Sequence, residues 1–199
     1  MNRYYYDFHI HSCLSPCGDN DMTPQNIVNM SKIMGYDVIA LTDHNTSRNC
    51  PAVMKAGKEA GLTVIAGMEL CTSEEVHIIC LFPDLEKAMA FSDYVYTTLP
   101  PVKNKPSIFG DQLICDEKDE VIGTEEKIAF ENQSISPFLA EYNYRLRFVR
   151  NGKSYRQWLF VNTGGRTHFN IYRLADGRIR IYAENDNPMC YQDALVRTD

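Results

Sequence analysis

Short apolar segments alternate with segments of helical spacing along the first hundred residues. The predicted strands are 3–10, 37–41, 62–66 and 76–82, and the predicted helices are 24–34, 51–60 and 84–98. Three of the strands are continuous apolar runs, which is typical of strands buried on both faces. This order of elements predicts parallel βα units joined by right-handed crossovers.

Residues with known preferences for helix ends support these boundaries. Thr23 followed by Pro24 is an N-cap with proline in the first turn, and Asp84 is the N-cap of the third helix. Gly35 and Gly61 follow the first two helices as C-caps. Apolar residues of the first helix recur at helical spacing; these are Ile27, Met30, Ile33 and Met34.

The pattern changes after about residue 141. Strand-like runs at 144–149, 155–161, 168–174 and 178–183 are separated by Asn-Gly, Gly-Gly and Asp-Gly pairs, which indicate hairpin turns. These runs predict an antiparallel meander. We therefore expect two parts, an α/β domain at 1–140 and a β-meander at 141–199. In the weaker region between the helices and the meander, a helix at 125–132 is the only further element expected.

Charge separates the same two parts. Residues 1–140 carry 10 Lys and Arg against 20 Asp and Glu, and residues 141–199 carry 10 against 6, within a net charge of -6. The seven cysteines are odd in number and show no disulfide spacing. No apolar run approaches the roughly 18 residues of a membrane span, and the N-terminus is no signal peptide. These features predict a cytoplasmic protein with no membrane partner.

Histidines and acidic residues follow the predicted strands. His9 and His11 lie two residues apart on an extended segment, so their side chains point to one side. His44 and Glu69 follow the next two strands, at the carboxyl ends where ligands collect in such folds. His77 opens its strand, and we expect it to reach the others only if the strand is tilted or its assignment shifts. These residue types can bind one or two divalent metals.

The segments Asp7-Phe8-His9-Ile10-His11-Ser12, Leu41-Thr42-Asp43-His44-Asn45, Gly67-Met68-Glu69 and Val76-His77 resemble the first motifs of the PHP (polymerase and histidinol phosphatase) domain. That family comprises metal-dependent phosphoesterases built on a distorted (β/α)7 barrel. The resemblance implies an α/β fold whose parallel βα units form part of such a barrel, followed here by the antiparallel β-meander.

The resemblance also implies roles for individual residues. His9 and His11 would bind one metal, Glu69 would bridge, His44 would bind a second metal, and His77 would complete the cluster. Asp19 is the candidate ligand in the loop after the histidine pair, with Asp21 and Cys17 as alternatives. Asp7 and Asp43 would orient imidazoles, and Asp43 and Glu69 are the candidate catalytic carboxylates. The expected cofactors are two or three ions of zinc, manganese or iron.

The family's later motifs have no match. One histidine remains after residue 77, His168, and no closing Asp-x-His stands near the C-terminus. His168 and Arg166 are candidates for a missing ligand or for contact with substrate phosphate. The expected function is hydrolysis of a small phosphate monoester, or of a nucleotide or oligonucleotide phosphate, by a metal-bound hydroxide. The alternative is a catalytically impaired module that serves in binding or oligomerisation.

Two expectations about partners follow. The basic meander interleaves arginine and aromatic residues, which suits either a nucleic-acid surface or an ordinary half-exposed sheet. The acidic first part disfavours long nucleic acid, so a small phosphorylated substrate is preferred. A partial barrel exposes sheet edges and apolar faces, which predicts a homo-oligomer or a poorly stable monomer.

Overall fold

The computed structural model describes residues 4–73 and 77–129 with their side chains, and six later strands by their backbone. It contains four helices and twelve strands within these residues. In chain order these are β1 Tyr6–Ile10, α1 Pro24–Ile33, β2 Val38–Leu41, α2 Cys50–Ala60, β3 Thr63–Cys71, β4 His77–Leu81, α3 Leu85–Thr98, α4 Pro106–Phe109, β5 Leu113–Cys115, β6 Val121–Thr124, β7 Arg147–Arg150, β8 Lys153–Arg156, β9 Leu159–Asn162, β10 Thr167–Arg173, β11 Ile179–Asn185 and β12 Tyr191–Val196. The expected α/β class is confirmed.

The main sheet has the strand order β1-β2-β3-β4-β9. The first three strands pair in parallel, and α1 and α2 are their crossovers, as the sequence predicts. The fourth strand is different: β4 runs antiparallel to β3 and follows it directly, with Cys71 opposite His77. The prediction of a further parallel strand at 76–82 is therefore wrong. The reason is that β3 extends five residues beyond its apolar run, to Cys71, and leaves no room for a crossover helix.

Alternation along β3 separates a core face from a site face. Val64, Ala66, Met68 and Leu70 belong to the hydrophobic core that the helices cover. The residues between them point to the opposite face, since strand side chains alternate. Glu69 and Cys71 therefore share one face of β3 with Gly67.

Two of the predicted helix ends are as expected. Gly61 ends α2 with a φ of 72°, the left-handed conformation that glycine adopts without strain. Asp84 accepts a hydrogen bond from Lys87 N at the start of α3. The short α4 was not expected, and residues 125–129 of the expected helix at 125–132 are not helical.

Helix α1 departs from prediction in how its N-terminus is capped. The backbone N–H of Gln25 and the hydroxyl of Thr23 both donate to the carboxylate of Asp119, which lies in the β5–β6 turn. The N-terminus of α1 is therefore capped by a distant loop. The buried face of α1 contains Ile27 and Val28, whereas Met30, Ile33 and Met34 are exposed. The helix that the spacing predicts is confirmed, and of the four apolar residues that define the spacing only Ile27 lies in the core.

The later strands are antiparallel, as the meander predicts. β7 pairs with β8, and β10, β11 and β12 form a three-stranded sheet. The run at 155–161 was predicted as one strand but is divided between β8 and β9, and β9 pairs with β4 of the main sheet. The turn residues at 151–152, 164–165 and 176–177 lie outside the described residues. Within the described residues, no helix is long and apolar enough to cross a bilayer.

Candidate metal centre

The main sheet brings His9, His11, His44, Glu69 and His77 together. His9 is in β1 and His11 follows it, while His44 lies just beyond β2 in an isolated parallel bridge with Glu69. Backbone hydrogen bonds from Glu69 N to Asp43 O and from Asn45 N to Glu69 O fix this register. His77 reaches the cluster because β4 is antiparallel, so the start of β4 lies beside the end of β3. No tilt or shift of the strand is needed.

His9, His11 and Glu69 form a triangle of potential ligand atoms. The Glu69 Oε2 atom is 3.0 Å from His9 Nε2 and 3.0 Å from His11 Nε2, and the two nitrogens are 3.1 Å apart. Ligands that bind one ion at about 2.1 Å and at right angles are about 3 Å apart. The triangle therefore has the dimensions of one face of an octahedral metal site. We call it the triad position.

His44, Cys71 and His77 form a second group. Cys71 Sγ is 3.2 Å from His44 Nδ1 and 3.7 Å from His77 Nε2. Glu69 links the two groups: its Oε2 is 3.4 Å from His44 Nδ1, and its Oε1 is 2.9 Å from His77 Nδ1. We call this group the thiol position.

The loop after β1 adds a third group, in which ligand atoms of Cys17, His11 and His44 all lie within 4.8 Å of one another. Asp19, the loop ligand predicted from the family resemblance, belongs to none of these groups. Its Oδ1 accepts a hydrogen bond from Asp21 N within the loop. Cys17, the weakest of the three alternatives from sequence, is thus the loop residue beside the histidines.

Asp43 is buried and acts on His11 through Ser15. The backbone N of Ser12 and the hydroxyls of Ser12 and Ser15 donate to the Asp43 carboxylate, at 2.6 to 2.9 Å. Because the Ser15 hydroxyl donates its hydrogen to Asp43, it must accept from His11 Nδ1, which lies 2.9 Å away. His11 then carries a proton on Nδ1, and its Nε2 faces Glu69. A metal ion at the triad position would bind His11 through Nε2, after this nitrogen gives up any proton it shares with Glu69.

Three further residues were predicted from sequence: Asp7, Arg166 and His168. Asp7 accepts a hydrogen bond from the backbone N of His9, 3.0 Å away, and so fixes the strand rather than an imidazole. Arg166 lies outside the described residues. His168 is in β10, of which the structure describes the backbone alone, so its predicted role and that of Arg166 remain predictions.

The electrostatics of the cluster favour a neutral His44 beside an ionised Glu69. Burial raises the pKa of Glu69, but hydrogen bonds with His11 and His9 outweigh it and hold the pKa below its ordinary value. Burial lowers the pKa of His44 to about 4, although the Glu69 charge opposes this. The hydrogen bond with Glu69 raises the pKa of His9. A neutral imidazole and a carboxylate are the protonation states that metal ligands need.

The site contains residues that the sequence analysis missed. Cys71 follows Glu69 by two residues on a strand, which is the same spacing as His9 and His11 and could have identified it. Ser12, Ser15 and Asn49 gave no such signal, because their contacts to Asp43 and to one another join segments distant in the chain.

A family model identifies the family to which this chain belongs. The family model of the PHP domain matches residues 7–172. The chain belongs to the PHP domain family. The observed βα units correspond to part of a PHP-type barrel.

Curated relatives match less than half of this chain. An uncharacterized protein of Methanocaldococcus jannaschii is 36% identical over 93 residues, which cover 42% of this chain and 54% of that protein. The 5′-3′ exoribonuclease of Haemophilus influenzae is 35% identical over 79 residues, covering 38% of this chain and 28% of the enzyme. The 5′-3′ exoribonuclease of Salmonella typhimurium is 33% identical, with 40% and 28% covered. The matched segment thus spans about half or less of each relative.

The similar solved structures share less sequence identity with this chain than the curated relatives do. An amidohydrolase of Chromobacterium violaceum is 25% identical with a TM-score of 0.41, covering 47% of this chain and 32% of that one. A Bifidobacterium adolescentis protein, proposed to be a metal-dependent phosphoesterase, is 24% identical with the same TM-score, covering 49% and 34%. No functional conclusion rests on similarities of this size.

The donor set of this PHP domain fits divalent metal ions. Imidazole nitrogens and a carboxylate converge at the triad position, and imidazoles with a thiol converge at the thiol position. Zinc accepts all three ligand types, and manganese and iron accept imidazole and carboxylate.

Proposed function

We propose that this PHP domain is a divalent-metal-dependent phosphoesterase that hydrolyses phosphate esters with water activated at the cluster. The observation that carries the proposal is the arrangement around Glu69, whose carboxylate lies within 3.4 Å of imidazole nitrogens from four histidines. A purely structural role would rarely place four imidazoles around one buried carboxylate, since unpaired polar groups are costly to bury. We infer that the ligands are His9, His11, His44, Glu69 and His77.

When bound, the metals supply Lewis-acid chemistry, in which they acidify water and withdraw charge from phosphoryl oxygens. The residues of the chain prepare this site. Glu69 stays ionised and holds negative charge at the centre of the cluster, and His44 stays neutral with an available lone pair. Asp43 keeps the His11 ring in one orientation through Ser15. We infer that Asp43 positions a ligand and does not itself exchange protons with substrate, because it is fully buried.

The exoribonucleases among the relatives make a phosphodiester or a 5′-phosphorylated oligonucleotide the first substrate class to test. A small phosphate monoester is the second, and the acidic residues 1–140 favour it because they disfavour long nucleic acid. Arg166 and His168 are proposed to contact substrate phosphate. We infer zinc, manganese or iron as the metal and a cytoplasmic location, both from the sequence.

The competing account is an impaired module that binds a partner or a second copy of itself. It is motivated by the lack of the family's later motifs, because His168 is the one histidine beyond residue 77. Under that account the cluster would hold metal for stability and would hydrolyse nothing.

Hydrolysis by matched carboxylate variants tests the proposal. Wild type, Glu69→Gln and Glu59→Gln are assayed with added Mn²⁺ or Zn²⁺ on p-nitrophenyl phosphate and on a 5′-phosphorylated oligoribonucleotide. Glu59 is an exposed carboxylate of α2 and serves as the control. We expect wild type and Glu59→Gln to hydrolyse at least one substrate and Glu69→Gln to lose at least about 100-fold in kcat/KM. A folded, metal-loaded wild type without hydrolysis would favour the impaired module.

A further inference from the structure

Cys71 lies where the second metal of the cluster would bind. It is the last residue of β3, pairs with His77 at the start of β4, and is 2% exposed. Its backbone N donates to Asn45 Oδ1, which ties it to the loop that carries His44. Three segments therefore converge here, and each contributes one potential ligand atom.

The hydrogen bonds of His77 turn one nitrogen toward Cys71. His77 Nδ1 lies 2.9 Å from Glu69 Oε1, and an ionised carboxylate can only accept, so Nδ1 carries the proton. In the neutral imidazole with this tautomer, Nε2 is the unprotonated nitrogen, and it faces Cys71 Sγ. A carboxylate that orients a histidine whose other nitrogen binds metal is a recurring arrangement in metal sites. At this position Glu69 thus orients a ligand, while its other oxygen faces the triad position.

The distances between ligand atoms differ between the thiol position and the triad position, and each set matches a different coordination geometry. At a tetrahedral zinc site, with Zn–N near about 2.0 Å and Zn–S near about 2.3 Å, neighbouring ligand atoms are roughly 3.3 to 3.6 Å apart. Cys71 Sγ is 3.2 and 3.7 Å from the two imidazole nitrogens, which brackets this range. The triad position, with edges of 3.0 and 3.1 Å, matches right-angled ligands instead.

We propose that Cys71 is a metal ligand, and that His44, Cys71 and His77 bind a zinc-type ion with a sulfur donor beside a harder position at His9, His11 and Glu69. On binding, the Cys71 thiol releases its proton to solvent and the sulfur forms the bond to the metal. Thiolate favours zinc over manganese or magnesium, so the two positions differ in metal preference. The inference rests on the proposed function only in that both require a metal at this cluster.

Cobalt substitution reads out the sulfur ligand independently of activity. The full-length protein is stripped with chelator and titrated with Co²⁺, and the thiolate-to-cobalt charge-transfer absorption in the near ultraviolet is measured. Cys71→Ser is compared with Cys80→Ser, a buried thiol on the paired strand that faces the core. We expect wild type and Cys80→Ser to develop the band and Cys71→Ser to lose half or more of it. Its Zn²⁺ affinity should fall about 10-fold or more.

A band of unchanged intensity in Cys71→Ser, or bound Co²⁺ without any band in wild type, would overturn the proposal. If Cys71→Ser does not fold, X-ray absorption of the zinc-loaded Cys17→Ser variant decides. A sulfur neighbour near about 2.3 Å that persists there supports Cys71, and its loss assigns the sulfur to Cys17 and overturns the proposal. Metal binding with a sulfur ligand but no hydrolysis would defeat the proposed function alone, whereas a protein that binds no metal would defeat both.

Discussion

Glu69 is the side chain on which the whole site depends. It is 3% exposed, and imidazoles from β1, from the loops after β1 and β2, and from β4 all face it. The His-x-His pair, His44 and Glu69 could be predicted from sequence because each stands at or just beyond the end of a strand that the hydrophobic pattern predicts. Ser15 could not be predicted. Its contacts with His11 and Asp43 depend on how the loops fold, and loop conformation leaves no periodic pattern in the sequence.

Removing the Ser15 hydroxyl tests the positioning of His11. In Ser15→Ala, His11 Nδ1 loses its acceptor and the ring is free to change tautomer or rotate. We expect metal affinity to fall about 10- to 100-fold, measured by calorimetric titration with Zn²⁺. Ser107→Ala in the exposed α4 is the control and should bind as wild type does. Equal affinities for the two variants would remove Ser15 from the account.

The neutral state of His44 predicts how stability of the metal-free protein depends on pH. Its pKa is about 4 when folded and near 6.5 when unfolded, so between these values only the unfolded chain gains a proton. The free energy of unfolding therefore decreases as pH falls through this window. We expect wild type to lose about 1 to 2 kcal/mol more than His44→Gln between about pH 7 and pH 5.

Urea unfolding of both proteins with EDTA, at the two pH values, measures this difference. The raised pKa of His9 acts in the opposite direction but is present in both proteins, so the comparison isolates His44. Parallel losses of stability would mean that His44 titrates normally in the folded protein.

At the scale of elements, the decisive feature is the antiparallel pair β3–β4. The sequence predicts both strands, but a buried apolar run, though typical of parallel sheets, also fits an antiparallel strand that is covered on both faces. Direction follows from the connection, and here Glu69, Leu70 and Cys71 continue β3 where the apolar run at 62–66 suggested an earlier end. The same feature explains why His77, at the start of its strand, joins residues at the ends of others.

Close packing at Gly67 maintains this arrangement. A Cβ at Gly67 would lie 2.8 Å from Leu41 O and from Thr42 Cγ2, and 3.1 Å from Cys80 O, so β3 would have to move between its neighbours. We expect Gly67→Ala to lower the free energy of unfolding by about 1 to 3 kcal/mol.

Gly123→Ala is the matched control, because a Cβ there has ordinary contacts with Ile114 at 3.8 and 4.0 Å. Chemical denaturation of the two variants beside wild type gives the comparison. A Gly67→Ala protein as stable as Gly123→Ala would show that the strands around β3 are not tightly packed.

At the scale of the whole molecule, strand pairing connects the acidic α/β part with the basic strands. Their division near residue 140 remains our proposal from charge and pattern. The pairing of β9 with β4 places a strand from the second part in the main sheet, with Cys80 opposite Phe160. Sequence could not predict this pairing, because hairpin signals indicate neighbours along the chain and β4 and β9 are distant.

Two probes of unfolding test whether the parts are coupled. Trp158, the single tryptophan, stands between β8 and β9 in the chain, and metal release reports on the cluster in the first part. Because β9 belongs to the main sheet, we expect tryptophan fluorescence and Co²⁺ absorption to change at the same denaturant concentration. Two separate transitions would show that the parts unfold as independent domains.

The central claim is that the cluster around Glu69 holds metal ions that this chain uses to hydrolyse phosphate esters. Its most direct test is elemental analysis of purified wild type, His9→Ala and Glu69→Ala, with phosphate ester hydrolysis assayed on the same samples. We predict two or three metal ions per wild-type chain, and loss of metal and of hydrolysis together in both variants. Full metal content in Glu69→Ala, or hydrolysis that continues after the metal is lost, would contradict the account.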